Sequence, residues 1–111
     1  MQSFSSPRVF APWAYTISHS QLLVRSSKYE NFLENIDLKF LDVQYMDIPV
    51  TLIGLRLDNA NDEDLEYLAS RVDNLTNYTI YVLCSQKRRH YVVAYGLNIS
   101  SNTLKVRETG F

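Results

Sequence analysis

The chain has a single cysteine, Cys84. One thiol makes neither an intramolecular disulfide nor a cysteine-rich zinc site. Its neighbours Tyr81, Val82 and Leu83 place it in a strand, where a buried thiol acts as a small, inert apolar side chain. Histidine is nearly as scarce: His19 and His90 stand far apart, and neither a His-x-x-x-His nor a Cys-x-x-Cys spacing occurs. The acidic set Asp58, Asp62, Glu63 and Asp64 lacks the ligand order and the glycine of an EF-hand loop. No metal and no cofactor is therefore expected. Three glycines and three prolines are too few for a low-complexity linker. No apolar run approaches the ~20 residues of a membrane-spanning helix. The first ten residues are polar and serine-rich, without the apolar stretch of an export signal. The expectation is a soluble, cytoplasmic protein with no membrane partner, in which the sequons at Asn74, Asn77 and Asn98 are chance matches. A net charge of -1 gives no global attraction to nucleic acid.

What is present is the material of one globular domain. The 111 residues are 46% apolar and 21% charged, which fits a folded chain rather than a disordered one. A domain of this size buries roughly two thirds of its unfolded surface around a single core. Residues 1–12, with Ser3, Ser5, Ser6 and Pro7, read as a flexible N-terminal arm. Residues 13–111 read as the single domain.

Strand period begins at Trp13, Tyr15 and Ile17. A second strand covers 21–25, and Ser18, His19 and Ser20 make the turn between them. Residues 26–35 form a polar connection in which Phe32 and Leu33 are the pinning side chains. Ile36, Leu38 and Phe40 then share one face. Beyond them the apolar set switches to Leu41, Val43 and Tyr45. A strand keeps both sets on one face only by inserting an extra residue, so a bulge or sharp bend is expected near Phe40 and Leu41. After Pro49, strand pattern resumes over 51–57.

The one helix is expected over 62–73. Asn61 is its N-cap, and Asp64 stands in the capping-box position. Leu65, Leu68, Ala69 and Val72 form the core-facing stripe. Residues 78–85 and 91–99 are apolar on both faces and read as central strands, joined by a turn of Gln86, Lys87, Arg88, Arg89 and His90. Residues 103–107 alternate Leu104 and Val106 with Lys105 and Arg107, as an edge strand protected by charge does. The fold class is α+β: a mainly antiparallel, curved β-sheet of about seven strands with one helix.

The run Tyr-Thr-Ile-Ser-His-Ser-Gln-Leu-Leu-Val-Arg-Ser from Tyr15, followed by Asn35-Ile36-Asp37, Phe40 and the pair Ile48-Pro49, resembles a family of small uncharacterised bacterial proteins. The resemblance spans about forty residues. It implies no catalytic or ligand-binding residues, and associates the chain with accessory or toxin-immunity roles.

Three sets of residues invite a chemical reading. Ser18, His19 and Ser20 hold a hydroxyl beside an imidazole, but a nucleophile also needs a base within reach and a group orienting that base. Asp37 or Asp42 would have to supply the latter, and no nucleophile-elbow motif is present. A structural turn is the plainer reading, with His19 bonding a neighbouring strand and Arg25 pairing with Asp37 or Asp42 across the sheet. Lys87, Arg88, Arg89 and His90 form the only basic run. At a hairpin tip they suit an acidic protein or phosphates, with Tyr81 and Tyr91 as nearby stacking faces. Three phosphate contacts would give a salt slope of about -2.7, too little for tight binding alone. The eight tyrosines complete the signal, because tyrosine suits protein interfaces.

The reading is a non-catalytic protein-interaction or accessory protein, immunity-like in kind, that binds through residues 87–90 with Tyr81 and Tyr91. A small nucleic-acid-binding module using the same turn is the alternative, and an enzyme centred on His19 comes last. The expected partner is another protein. A homo-oligomer formed through the 103–107 edge is a further expectation, testable with Leu104→Lys.

Overall fold

The computed structural model describes residues 2–29 and 31–111. Its strands are β1 (Ser5–Thr16), β2 (Gln21–Ser26), β3 (Asn35–Asp47), β4 (Leu52–Asp58), β5 (Thr79–Ser85) and β6 (Arg88–Asn102). One helix, α1 (Asp62–Ala69), joins β4 to β5. All pairings are antiparallel, and the strands close into a barrel in the order β1-β2-β3-β6-β5-β4. The α+β class holds, with six strands rather than seven among the described residues.

Period-two alternation fills the barrel. Phe10, Val24, Leu38, Phe40, Leu52, Leu83 and Val92 point inward and are fully buried. Closure needs corners, and the strands supply them as register breaks. β1 pairs with β4 through Ser5–Phe10 and with β2 through Ala11–Thr16, breaking register between Ser6 and Val9 and between Pro12 and Ala14. Pro7 and Pro12 fall at these breaks, the positions where a strand tolerates a missing N–H. The expectation of a flexible arm over 1–12 is therefore corrected for the described part. Residues 5–12 are strand, and Phe10 is 0% exposed. Met1 lies outside the described residues.

The bend predicted near Phe40 and Leu41 is present slightly later. Asp42 takes a left-handed φ of 51°, and the β3–β6 register slips between Val43 and Tyr45. Val43 thus returns to the interior, while Tyr45 packs on the outside. Gly54, at φ 70°, gives β4 its own kink.

Two layers cover the outside of the barrel. α1 packs Leu68 against Val82, Tyr91 and Val93 of β5 and β6. Its N-terminus carries the capping box that the sequence predicts: Asp64 N–H donates to Asn61 Oδ1 at 2.8 Å, and Asn61 N–H donates to Asp64 Oδ2 at 2.8 Å. The helix is shorter than expected and its buried face is rotated. Leu65 and Ala69 are exposed, whereas Asp64 and Leu68 are buried. The second layer is residues 103–111. They form no strand, so the predicted edge strand over 103–107 is absent and the expected pairing route through Leu104 has no strand to use. Instead Trp13 Nε1 donates to Val106 O at 2.8 Å, Asn35 Nδ2 to Leu104 O at 2.9 Å and Lys39 Nζ to Gly110 O at 2.9 Å. These bonds tie the segment to β1 and β3.

Candidate functional site

The basic run begins in the β5–β6 hairpin. Gln86 and Lys87 have φ of 49° and 65°, and Ser85 pairs with Arg88. This is a two-residue turn with both centres left-handed, the geometry matched to strand twist. The five-residue turn read from the sequence is corrected accordingly, because Arg88, Arg89 and His90 belong to β6. Lys87 and Arg88 are exposed. With Arg56, Cys84, Ser85 and Arg89 they border a recess of about 440 Å³.

Arg89 is not available to a partner in the same way. Its Nε and Nη2 donate to Asp64 Oδ1 and Oδ2 at 3.0 and 2.6 Å, and its Nη1 donates to Asp58 Oδ2 at 2.9 Å. Such a bidentate, charge-assisted pair fixes the guanidinium. These hydrogen bonds hold the Arg89 guanidinium's pKa above its usual value. Burial pushes the Asp64 carboxyl up, but the bonds from Arg89, Tyr91 and the Asn61 N–H outweigh burial and hold it at about 2. Tyr91 Oη donates to Asp64 Oδ1 at 2.6 Å. Its burial, followed by that bond, raises the phenol to about 12. Tyr67 stacks on Tyr91 with centroids 5.2 Å apart and donates to Asp47 Oδ2 at 2.5 Å. This carboxylate bond is the main reason its phenol also rises to about 12.

The proposed stacking faces are corrected by their burial. Tyr81 is 7% exposed inside the barrel, edge-on to Phe40, and Tyr91 is 8% exposed beneath α1. Neither presents a ring to a base. His90 is partly buried, and desolvation pushes its imidazole below the ordinary value. It adds no charge to the tip near neutrality. The cations facing outward are therefore Lys87 and Arg88, with Arg56 beside them.

Ser18, His19 and Ser20 lie in the β1–β2 turn, and His19 is exposed. The bond that anchors this turn comes from another atom than expected: the Val43 N–H donates to Ser20 O at 2.8 Å. Asp37 stands elsewhere, in a buried bidentate pair with Arg25 at 2.7 and 3.0 Å. Of the two partners foreseen across the sheet, Asp37 or Asp42, Arg25 takes Asp37, and the pair is sealed rather than superficial.

That pair lies behind a second recess, which sequence reasoning missed. An apolar groove of about 360 Å³ is bordered by Val9, Phe10, Trp13, Tyr29 and Phe32, with Arg25, Ser26 and Ser27 as its polar members. Trp13 occupies the β1 register break, and a Tyr29–Phe32 bridge shapes the β2–β3 connection. The available signal was Arg25 itself, because a charge placed after Leu22, Leu23 and Val24 in a strand requires a buried partner.

Comparison of the chain with protein-family models, with curated proteins and with solved structures gave no match.

Proposed function

We propose that the protein acts by binding rather than by catalysis, as a protein-interaction or accessory module whose docking point is the β5–β6 hairpin tip. The carrying observation is the separation of charges there. Asp58 and Asp64 are committed to Arg89, while Lys87 and Arg88 are exposed without an acidic partner within 4.0 Å among the described residues. Arg56 beside them pairs with Asp58 at 3.6 Å, so among the described residues Lys87 and Arg88 are the free cations on the rim of this recess. Such a rim favours an acidic protein surface, steering encounter and fixing orientation. Exposed Tyr95 on β6 adds an amphipathic side chain of the kind common at interfaces. A cytoplasmic, immunity-like role suits this class of protein. Among the described residues no helix is long and apolar enough to cross a membrane.

The test is affinity capture with the wild-type chain and a Lys87→Ala/Arg88→Ala variant, with and without nuclease. The expected result is a protein partner that survives nuclease and is lost in the variant. Nucleic acid recovered only by the wild type would replace this reading with the alternative, and its salt slope should then be about -1.8 for two cations. A partner held equally by both proteins would remove the hairpin from the argument.

A further inference from the structure

Two residues that line the groove bordered by Trp13 and Phe32 each hold a closed-off polar atom with nothing to bond. Arg25 Nη1 and Ser27 Oγ are both buried and both lack a hydrogen-bond partner. Asp37 takes the Nε and Nη2 donors of Arg25 and leaves Nη1 over. A buried guanidinium N–H without an acceptor is costly, and native proteins rarely keep one without a reason. The surrounding charge points the same way. The Arg8 guanidinium lies 4.3 Å over the Phe32 ring, and its bonds go only to Ser26 Oγ and to the carbonyls of Ser26, Ser27 and Glu34. No carboxylate pairs with Arg8 among the described residues. Arg25 and Asp37 cancel, which leaves Arg8 as a cation without a carboxylate partner beside this apolar recess among the described residues.

We propose that this groove binds a small amphipathic carboxylate, with the apolar body among Val9, Trp13, Tyr29 and Phe32 and the carboxylate on Arg25 and Ser27. The size agrees, since about 360 Å³ is at the small end of ligand cavities. Recognition would follow the usual division: an apolar wall supplies affinity, and a few placed donors fix orientation. Trp13 is the movable element. Its ring lies 5.9 Å from the Arg25 guanidinium carbon and is tethered by one indole bond to Val106 O. An acceptor reaches the closed-off donors when that ring turns aside. The site is separate from the hairpin tip and does not depend on how the tip is used.

Trp13 is the chain's only tryptophan, so its emission reports directly on the groove. The experiment titrates the protein with 3-phenylpropionate and with its neutral analogue 3-phenylpropanamide. It follows tryptophan fluorescence and backbone amide NMR shifts together. The expected result is saturable binding of the acid, with the amide at least about tenfold weaker, because a charge-assisted bond is lost. Ser27→Ala should weaken the acid about fivefold, while leaving the amide nearly unchanged. Phe32→Ala should weaken both, and Lys87→Ala neither. Equal affinity for acid and amide would overturn carboxylate recognition. No shift at groove residues from either compound at millimolar concentration would overturn the site.

Discussion

Replacing Asp64 with asparagine tests how the hairpin is coupled to the helix. The carboxylate accepts from Arg89 at 3.0 and 2.6 Å, from Tyr91 at 2.6 Å and from the Asn61 N–H at 2.8 Å. Asparagine keeps the shape but loses the charge, and it turns an NH2 group toward donors. Removing one member of a buried ion pair costs ~3–5 kcal/mol. Arg89 is 29% exposed and keeps Asp58, so a loss of about 3 kcal/mol is expected. At about 4 °C per kcal/mol, that lowers the melting temperature by about 12 °C.

The pH dependence isolates the charge. Asp64 is held at about 2 against an ordinary 3.8, so the unfolded chain takes up its proton first as pH falls. The stabilisation is complete above the unfolded value and disappears as pH drops through the folded one. It amounts to about 2 kcal/mol. Urea denaturation of both proteins from neutrality down to about pH 2 gives the difference, in which other carboxylates largely cancel. That difference should shrink from about 3 to about 1 kcal/mol in the acid range. A difference that stays constant with pH would refute the ionised Asp64 pair as its cause.

Three further outcomes are expected. Gln86→Asn with Lys87→Gly should stabilise the fold by about 1–2 kcal/mol in urea denaturation, because both positions are left-handed and these residues tolerate that conformation; no gain would mean the turn is not strained. Asp37→Ala should cost ~3–5 kcal/mol by leaving Arg25 charged and buried, and Arg25→Leu/Asp37→Leu should recover most of it. Equal losses in single and double variants would assign the cost to packing rather than to charge. Spectrophotometric titration should find Tyr67 and Tyr91 ionising at about 12. Asp64→Asn should lower Tyr91 and leave Tyr67 in place; the reverse would misassign the bond.

Local signals in the sequence were legible where one residue type fixes one geometry. Asn61 and Asp64 read as a capping box and form one. The parity switch after Phe40 read as a bend, and Asp42 supplies it. The failures share a cause: each depends on contacts distant in sequence. Pro7 and Pro12 resemble loop residues until β4 and β2 are seen pairing on either side of their register breaks. Residues 103–107 alternate like a strand, but in a closed barrel no strand is left to pair with them. Asp64 read as a capping-box acid, and only the fold brings Arg89 and Tyr91 onto it as well. Tyr81 and Tyr91 looked like faces near a basic turn because strand period alone does not tell a barrel's interior from a surface covered by a helix.

The two ion-pair clusters have a common logic. Apolar packing closes the barrel but does not select which segment covers which outer face, since any apolar stripe gains from burial. Polar networks discriminate, because their members are satisfied in few arrangements. Arg89 meets Asp64 only if α1 lies over β5 and β6 in its observed position. Asp37, bonded to Arg25, also accepts from Asn102 Nδ2 at 2.7 Å, and Asn102 Oδ1 accepts from Asn35 Nδ2 at 2.8 Å. That chain leads directly into residues 103–111. The first cluster commits both Asp58 and Asp64 to Arg89, while its neighbours Lys87 and Arg88 face outward. The second leaves Arg25 Nη1 over. A network that serves only to position a covering segment has no use for an unpaired guanidinium donor, and that surplus is what separates the Trp13 groove from an ordinary seam between layers.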